Sequence, residues 1–186
     1  MATNSPEVVM GRLIVSAQMT VDCVMDPIEE WFDATLEEGD GVAQLRAADA
    51  LILGRKTYQE LAEYWPKSND AYAQLINPMT KYVASRTISE PLTWNSHLLE
   101  PDLAKGVAAL KDRLSGDLIV YGCGQLANDL ARSGLVDEVR FWLHPYVWGA
   151  GVRPFQPGDL PIRLRLVSAT TYASGMVRLA YQPSVI

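Results

Sequence analysis

Apolar positions along this chain fall into short blocks that alternate between two rhythms. Residues 12–21, RLIVSAQMTV, and 48–54, ADALILG, are nearly continuous apolar runs, which predict strands buried on both faces. KYVASR (81–86) and DLIVYG (117–122) read the same way. Between them the period lengthens. RKTYQELAEYW (55–65) is helical in pattern until Pro66, and DAYAQLIN (70–77) predicts a short helix ended by the Asn77-Pro78 turn. After a proline-containing loop, Leu103, Val107, Leu110 and Leu114 recur at helical spacing, with Gly116 as the expected stop. QLANDLARSG (125–134) predicts the next helix. DEVRFWLHPYVWG (137–149) predicts a long strand, and 162–183 predicts two strands joined around Ala173-Ser174-Gly175. The acidic segment 26–41 has Pro27 placed to start a short helix after Asp26.

Strands alternating with helices predict an α/β fold with a mainly parallel sheet covered on both faces, closed by an antiparallel hairpin at one edge. With 186 residues and no linker-like or repeated tract, a single domain over 1–186 is expected.

Composition narrows the classes. Hydrophobic residues make up 48% and charged residues 20%, an ordinary globular balance. The net charge of −6 argues against broad binding to nucleic acid or an anionic membrane. Cys23 and Cys123 form no C-x-x-C pair, and only two histidines accompany them, so soft metal ligands are few. Reduced thiols, the lack of a signal-peptide pattern and the lack of a ~20-residue apolar run lead to the expectation of a cytoplasmic protein.

Strand, glycine turn and helix meet at LIVYGCGQLANDLARSG, residues 118–134. Gly122-x-Gly124-x-x-Ala127 formally fits the dinucleotide pattern G-x-G-x-x-G/A. The standard Rossmann context also needs an acidic residue ~20 positions on, where this chain has His144 and Pro145. The standard Rossmann reading is therefore rejected. The turn keeps its physics, because small residues and free helix N–H groups favour an anion. Two further strand ends add to it. Gly54-Arg55-Lys56-Thr57 offers N–H groups, cations and a hydroxyl, and Ser85-Arg86 offers a hydroxyl and a fork-shaped cation.

ALILGRKTYQELAEYWP (50–66), KYVASRT (81–87), residues 117–155 and LRLVSATTYASGMVRLAYQP (164–183) together resemble the dihydrofolate reductase-like superfamily. The likeness is greatest to the branch of the riboflavin-biosynthesis reductase domain. The resemblance implies a three-layer α/β/α sandwich that binds NADPH and reduces a small-molecule substrate. By position, Gly54, Arg55, Lys56 and Thr57 would lie along the cofactor phosphates. Ser85 and Arg86 would hold the adenosine 2′-phosphate. Gly122, Cys123, Gly124, Gln125 and Leu126 would wrap the pyrophosphate and a ribose, with Ala17 near the nicotinamide. Relatives usually carry a Ser-x-Asp-Gly-type stretch after the first strand, where this chain reads Ser16-Ala17-Gln18-Met19-Thr20.

The activity expected is hydride transfer from NADPH to a C=N or C=O of a pteridine-, pyrimidine- or carbonyl-type substrate. Gln18, Met19 and Trp31 are expected to line its site. The proton donor is sought among Asp22, Asp26, Glu29, Glu30 and Asp33. Glu30 is preferred, because Trp31 beside it would desolvate the carboxyl and raise its pKa. His144 and Tyr146 are expected in core or interface packing. Trp142 and Trp148 share their strand, which with the terminal hairpin would form a homodimer interface as in similar proteins; core burial within the monomer is an equally available reading. The alternative, motivated by Gln18-Met19, is a non-catalytic NADPH-binding sensor or interaction protein. A flavin-binding protein is a third, weaker reading.

Overall fold

The computed structural model describes residues 10–154 and 161–184. Eight strands form one sheet: β1 Leu13–Thr20, β2 Ala48–Gly54, β3 Thr80–Ala84, β4 Ser96–Leu98, β5 Asp117–Tyr121, β6 Glu138–His144, β7 Arg163–Thr171 and β8 Val177–Ser184. The helices are α1 Asp40–Arg46, α2 Arg55–Tyr64, α3 Ala71–Ile76, α4 Leu103–Arg113 and α5 Gln125–Arg132. Short 3-10 turns cover Ile28–Glu30, Ala34–Glu37 and Trp65–Lys67.

The sheet order is β4-β3-β2-β5-β1-β6-β8-β7. Pairing is parallel from β4 through β6 and antiparallel for β6–β8 and β7–β8. The expected sheet, with its antiparallel hairpin at one edge, is the observed one. Residues 48–54 form β2 as read from the sequence. The strand expected over 137–149 stops at His144, where Pro145 removes a ladder donor. The helix expected to run toward Gly116 ends at Arg113. Gly116 instead lies against the Asp49 carboxylate, which accepts its N–H at 2.7 Å.

Side-chain alternation separates two cores. Leu13, Val15, Ala17 and Met19 of β1 join Leu118, Val120 and the apolar faces of α4 and α5. Leu51, Leu53 and Ile119 point the other way, against Leu45, Tyr58 and Ile76 of α1, α2 and α3. Each fully buried Leu or Ile contributes ~1.5–3 kcal/mol, so these two layers hold the sheet.

Lys81, fully buried in β3, has an unusual setting. Its Nζ donates to the carbonyls of Ile76 and Asn77 at 2.5 and 2.9 Å, closing the C-terminal end of α3. The ammonium also lies 3.9 Å from the Trp94 ring centroid. Burial lowers its pKa to about 8.

Candidate functional site

Because β3, β2, β5, β1 and β6 are parallel neighbours, their C-terminal ends share one edge of the sheet. Gly54 stands opposite Ala84, so Arg55 and the Ser85-Arg86 turn lead off adjacent strands. Next to them, Gly122 donates its N–H to the Ser16 carbonyl at 2.9 Å, and the chain turns into α5. Gly122 has φ +84°, a left-handed conformation that favours glycine.

The helices that start at this edge differ in one respect. Asp70 and Asp102 cap α3 and α4 with their carboxylates. The N-caps of α1, α2 and α5 are Gly39, Gly54 and Gly124, with no side-chain cap; α1 carries Asp40 in its first turn, whereas α2 and α5 have no acid there. A Cβ at Gly124 would meet nothing within 4 Å. Uncapped N–H groups in open space accept an anion, which a capping aspartate would repel. Arg55, Lys56, Arg86 and Gln125 are exposed around them. Lys56 also reaches Asp26 at 3.8 Å, and the Ser85 hydroxyl accepts the N–H groups of Thr87 and Ile88 at 3.1 Å each. Thr57 is half-buried in the first turn of α2, and Leu126 lies 4.0 Å from where a Gly54 Cβ would stand. These residues fit a pyrophosphate with a further phosphate near Arg86. Two of the sequence-nominated residues can offer a ligand no more than their backbone. Ala17 and Cys123 are 1% and 3% exposed, with side chains in the core, and burial pushes the Cys123 thiol up to about 12.

Beyond β5, toward β6, the edge becomes an enclosed polar site. Gln18, the one partly exposed residue of β1, projects on the face opposite Met19. Its Nε2 donates to Glu37 Oε1 at 2.5 Å, and its Oε1 faces His144 Nε2 at 2.8 Å. His144 is fully buried, with the Trp31 and Phe32 rings at 5.2 and 5.4 Å. Burial lowers its pKa to about 4, which favours the neutral ring, and the Gln18 carbonyl oxygen opposite Nε2 suits the tautomer with its hydrogen on Nε2. His144 Nδ1 and Trp31 Nε1 have no hydrogen-bond partner among the described residues. Glu37 is 5% exposed, and its carboxyl occupies the space that a Gly41 side chain would take. Burial raises its pKa to about 7, against the lowering effect of the Gln18 hydrogen bond. Tyr72 and Tyr121 join hydroxyl to hydroxyl at 2.5 Å close by, and desolvation raises both pKa values.

The model of the RibD C-terminal domain matches residues 12–178. The chain belongs to this family. It is 30% identical to the uncharacterized protein YyaP of Bacillus subtilis (strain 168), over 91% of this chain and 94% of that protein. Solved structures share the fold. A candidate riboflavin biosynthesis protein from Shewanella sp. PV-4 superposes with TM-score 0.74 at 18% identity, over 94% of this chain and 99% of that one. Enterococcus faecalis dihydrofolate reductase, complexed with NADP(H) and RAB-propyl, gives TM-score 0.63 at 13% identity, over 95% and 98%. The fold is therefore of the dihydrofolate reductase-like, reductase type.

Within this RibD-type domain, the acids nominated from sequence are placed elsewhere than expected. Glu29 and Glu30 are exposed on the Ile28–Glu30 turn, while the neighbouring Trp31 ring turns inward to His144. The desolvation expected for Glu30 belongs to Glu37. Asp33 caps the Ala34–Glu37 turn through Thr35, which lowers its pKa. Asp26 pairs by backbone with Val152. Asp22 accepts the Thr20 hydroxyl at 2.6 Å and the N–H groups of Trp148 and Gly149 at 3.0 and 2.8 Å. These bonds hold its carboxyl down at about 2. Asp22 thus ties segment 20–26 to 145–152. Gly151 sits in that tie at φ +146°, where a Cβ would collide with the Asp26 carbonyl.

Met19, nominated for the substrate, is 2% exposed and packs in the core instead. Trp142 is fully buried, its Nε1 donating to Ser16 Oγ at 2.9 Å, whereas Tyr146 and Trp148 are each 38% exposed. A cleft of about 390 Å³ runs between α1 and β6–β8–β7, from Asp40 and Arg178 to Arg12 and Asp117. Its arginines, Arg12, Arg140 and Arg178, are paired with Asp117, Glu138 and Asp40. No helix among the described residues is long and apolar enough to cross a membrane.

Proposed function

We propose that this chain is an NADPH-dependent reductase. It passes a hydride to the carbon of a C=N or C=O bond in a pteridine-, pyrimidine- or carbonyl-type small molecule, with Glu37 as the proton donor. One juxtaposition carries this reading. The uncapped glycine ends of α2 and α5, ringed by Arg55, Lys56 and Arg86, share a sheet edge with the enclosed Glu37 carboxyl.

NADPH, when bound, supplies the hydride. Gly54–Thr57 and Gly122–Leu126 hold its phosphates through backbone N–H groups, and Ser85 and Arg86 hold the 2′-phosphate. Glu37 keeps a proton near neutral pH because burial disfavours its charge. It donates that proton to the nitrogen or oxygen of the bond being reduced. The carboxylate left behind is held by Gln18 Nε2–H and by the Gly41 N–H. His144 fixes the Gln18 amide in the orientation that presents its NH₂ to Glu37.

Gln18 and Met19 were the grounds for a non-catalytic alternative. In this fold Met19 packs in the core and Gln18 steadies the buried acid, which supports the catalytic reading. The test is NADPH consumption across a panel of pteridines, pyrimidines and carbonyl compounds. Turnover of at least one is expected, slowed on the order of 10²- to 10⁴-fold in Glu37→Gln. Cofactor binding without turnover of any panel member would favour the sensor instead.

We also infer a homodimer that uses β7. This strand closes the sheet at an open edge, with Leu166 and Val167 about half exposed. Such an edge presents unpaired N–H and C=O groups. Light scattering should give twice the chain mass, and a monomer mass at micromolar concentration would count against pairing.

A further inference from the structure

We propose that the β7–β8 hairpin positions the Glu37 carboxyl, with Tyr172, Ser174 and Arg178 acting through Asp40 and the backbone around Glu37. The inference rests on the reading of Glu37 as proton donor.

Glu37 ends a 3-10 turn and is followed by Glu38 and Gly39, both left-handed at φ 51° and 90°. A segment of this shape has few regular hydrogen bonds of its own. The hairpin brackets it instead. Ser174 Oγ donates to the Leu36 carbonyl at 2.8 Å, and Ser174 N–H reaches Glu38 Oε1 at 3.4 Å. Tyr172 Oη and Arg178 Nη1 both donate to Asp40 Oδ2, at 2.6 and 2.8 Å. Residues on both sides of Glu37 are thus tied to one distant hairpin. Arg178 is itself set by the Thr170 hydroxyl at 3.3 Å and by the Trp142 ring at 5.2 Å.

The same bonds carry charge. The groups facing Glu37 are Gln18 of β1, Asp40 and the Gly41 N–H of α1, Tyr72 of α3, Tyr121 of β5 and Tyr172 of the hairpin. His144 of β6 stands behind Gln18, with Asp33 beyond it. Asp40 is the negative neighbour that opposes ionisation of Glu37, and the Arg178 guanidinium pairs with it at 2.8 Å. The tyrosines keep their protons, since burial raises their pKa values.

The test is carbon-13 NMR of the Glu37 carboxyl through a pH titration, in wild type, Arg178→Gln, Arg178→Lys and Asp40→Asn. Arg178→Gln leaves Asp40 uncompensated and should move the Glu37 titration up, on the order of one unit. Asp40→Asn should move it down, and Arg178→Lys should restore most of the wild-type value. A purely structural role for the hairpin moves none of these in opposite directions. Superimposable titrations, or shifts of one sign in Arg178→Gln and Asp40→Asn, would overturn the proposal. If Arg178→Gln does not fold, Arg178→Met, which keeps the stem against the Trp142 ring, takes its place, and its titration must still move opposite to that of Asp40→Asn. Failure of the reductase reading shows separately, as absent turnover with the titration shifts intact.

Discussion

The side-chain amide of Gln18 stands between Glu37 and His144, donating to one at 2.5 Å and facing the other at 2.8 Å. The partly exposed Gln18 of β1 thereby joins two buried groups, His144 of β6 and Glu37 of the turn before α1. Burial pushes the two titratable members toward their neutral forms, which sets opposite pH dependences.

The folded Glu37 holds its proton more tightly than the unfolded chain does, so its contribution weakens stability as pH rises from 4.5 to about 7. The folded His144 holds its proton less tightly, so its contribution weakens stability as pH falls from 6.5 to about 4. The two slopes cancel where they overlap. Glu37→Gln removes the first and should unmask an acid-side loss of about 3 kcal/mol. His144→Gln should unmask a loss of similar size toward neutral pH. Urea unfolding over a pH series reads both, and curves parallel to wild type would show that neither group titrates on folding.

Arg86→Ala should weaken NADPH far more than NADH, by about 1–3 kcal/mol for one charge-assisted contact. Equal losses for the two cofactors would show that Arg86 does not read the 2′-phosphate.

Asp22 is a tether. Asp22→Ala should speed amide exchange at Trp148 and Gly149 while leaving β5 amides protected. In wild type that protection should persist at neutral pH and fade as acid approaches about 2, where the carboxylate takes a proton. Unchanged exchange in the variant would remove this role.

Lys81→Met keeps most of the buried volume but leaves the Ile76 and Asn77 carbonyls without their donor. A loss of about 2–6 kcal/mol in denaturant unfolding is expected, roughly 1–3 for each of the two carbonyls stranded. A neutral result would mean that those carbonyls find other partners.

Much of the sheet was legible because apolar runs such as 48–54 and 117–121 are buried on both faces and bounded by turn residues. The three-residue β4 and the seven-residue α1 carry too little pattern to stand out. The glycines and cations at strand ends were legible, and the parallel sheet brings them to one edge. Glu37 was not, because it stands in an acidic stretch with Asp33, Glu38 and Asp40, and its burial comes from Gln18 and Gly41. A signal for Met19 did exist. With a period of two, Ala17 and Met19 share one face of β1 and Gln18 takes the other, so Gln18 and Met19 cannot line the same pocket.

The most direct test is a calorimetric titration of the wild-type chain with NADPH and with NADH, side by side. Tight binding of NADPH and weak binding of NADH are expected if the open ends of α2 and α5 and the Ser85-Arg86 turn hold the cofactor. Binding of neither would contradict the reductase reading at its base.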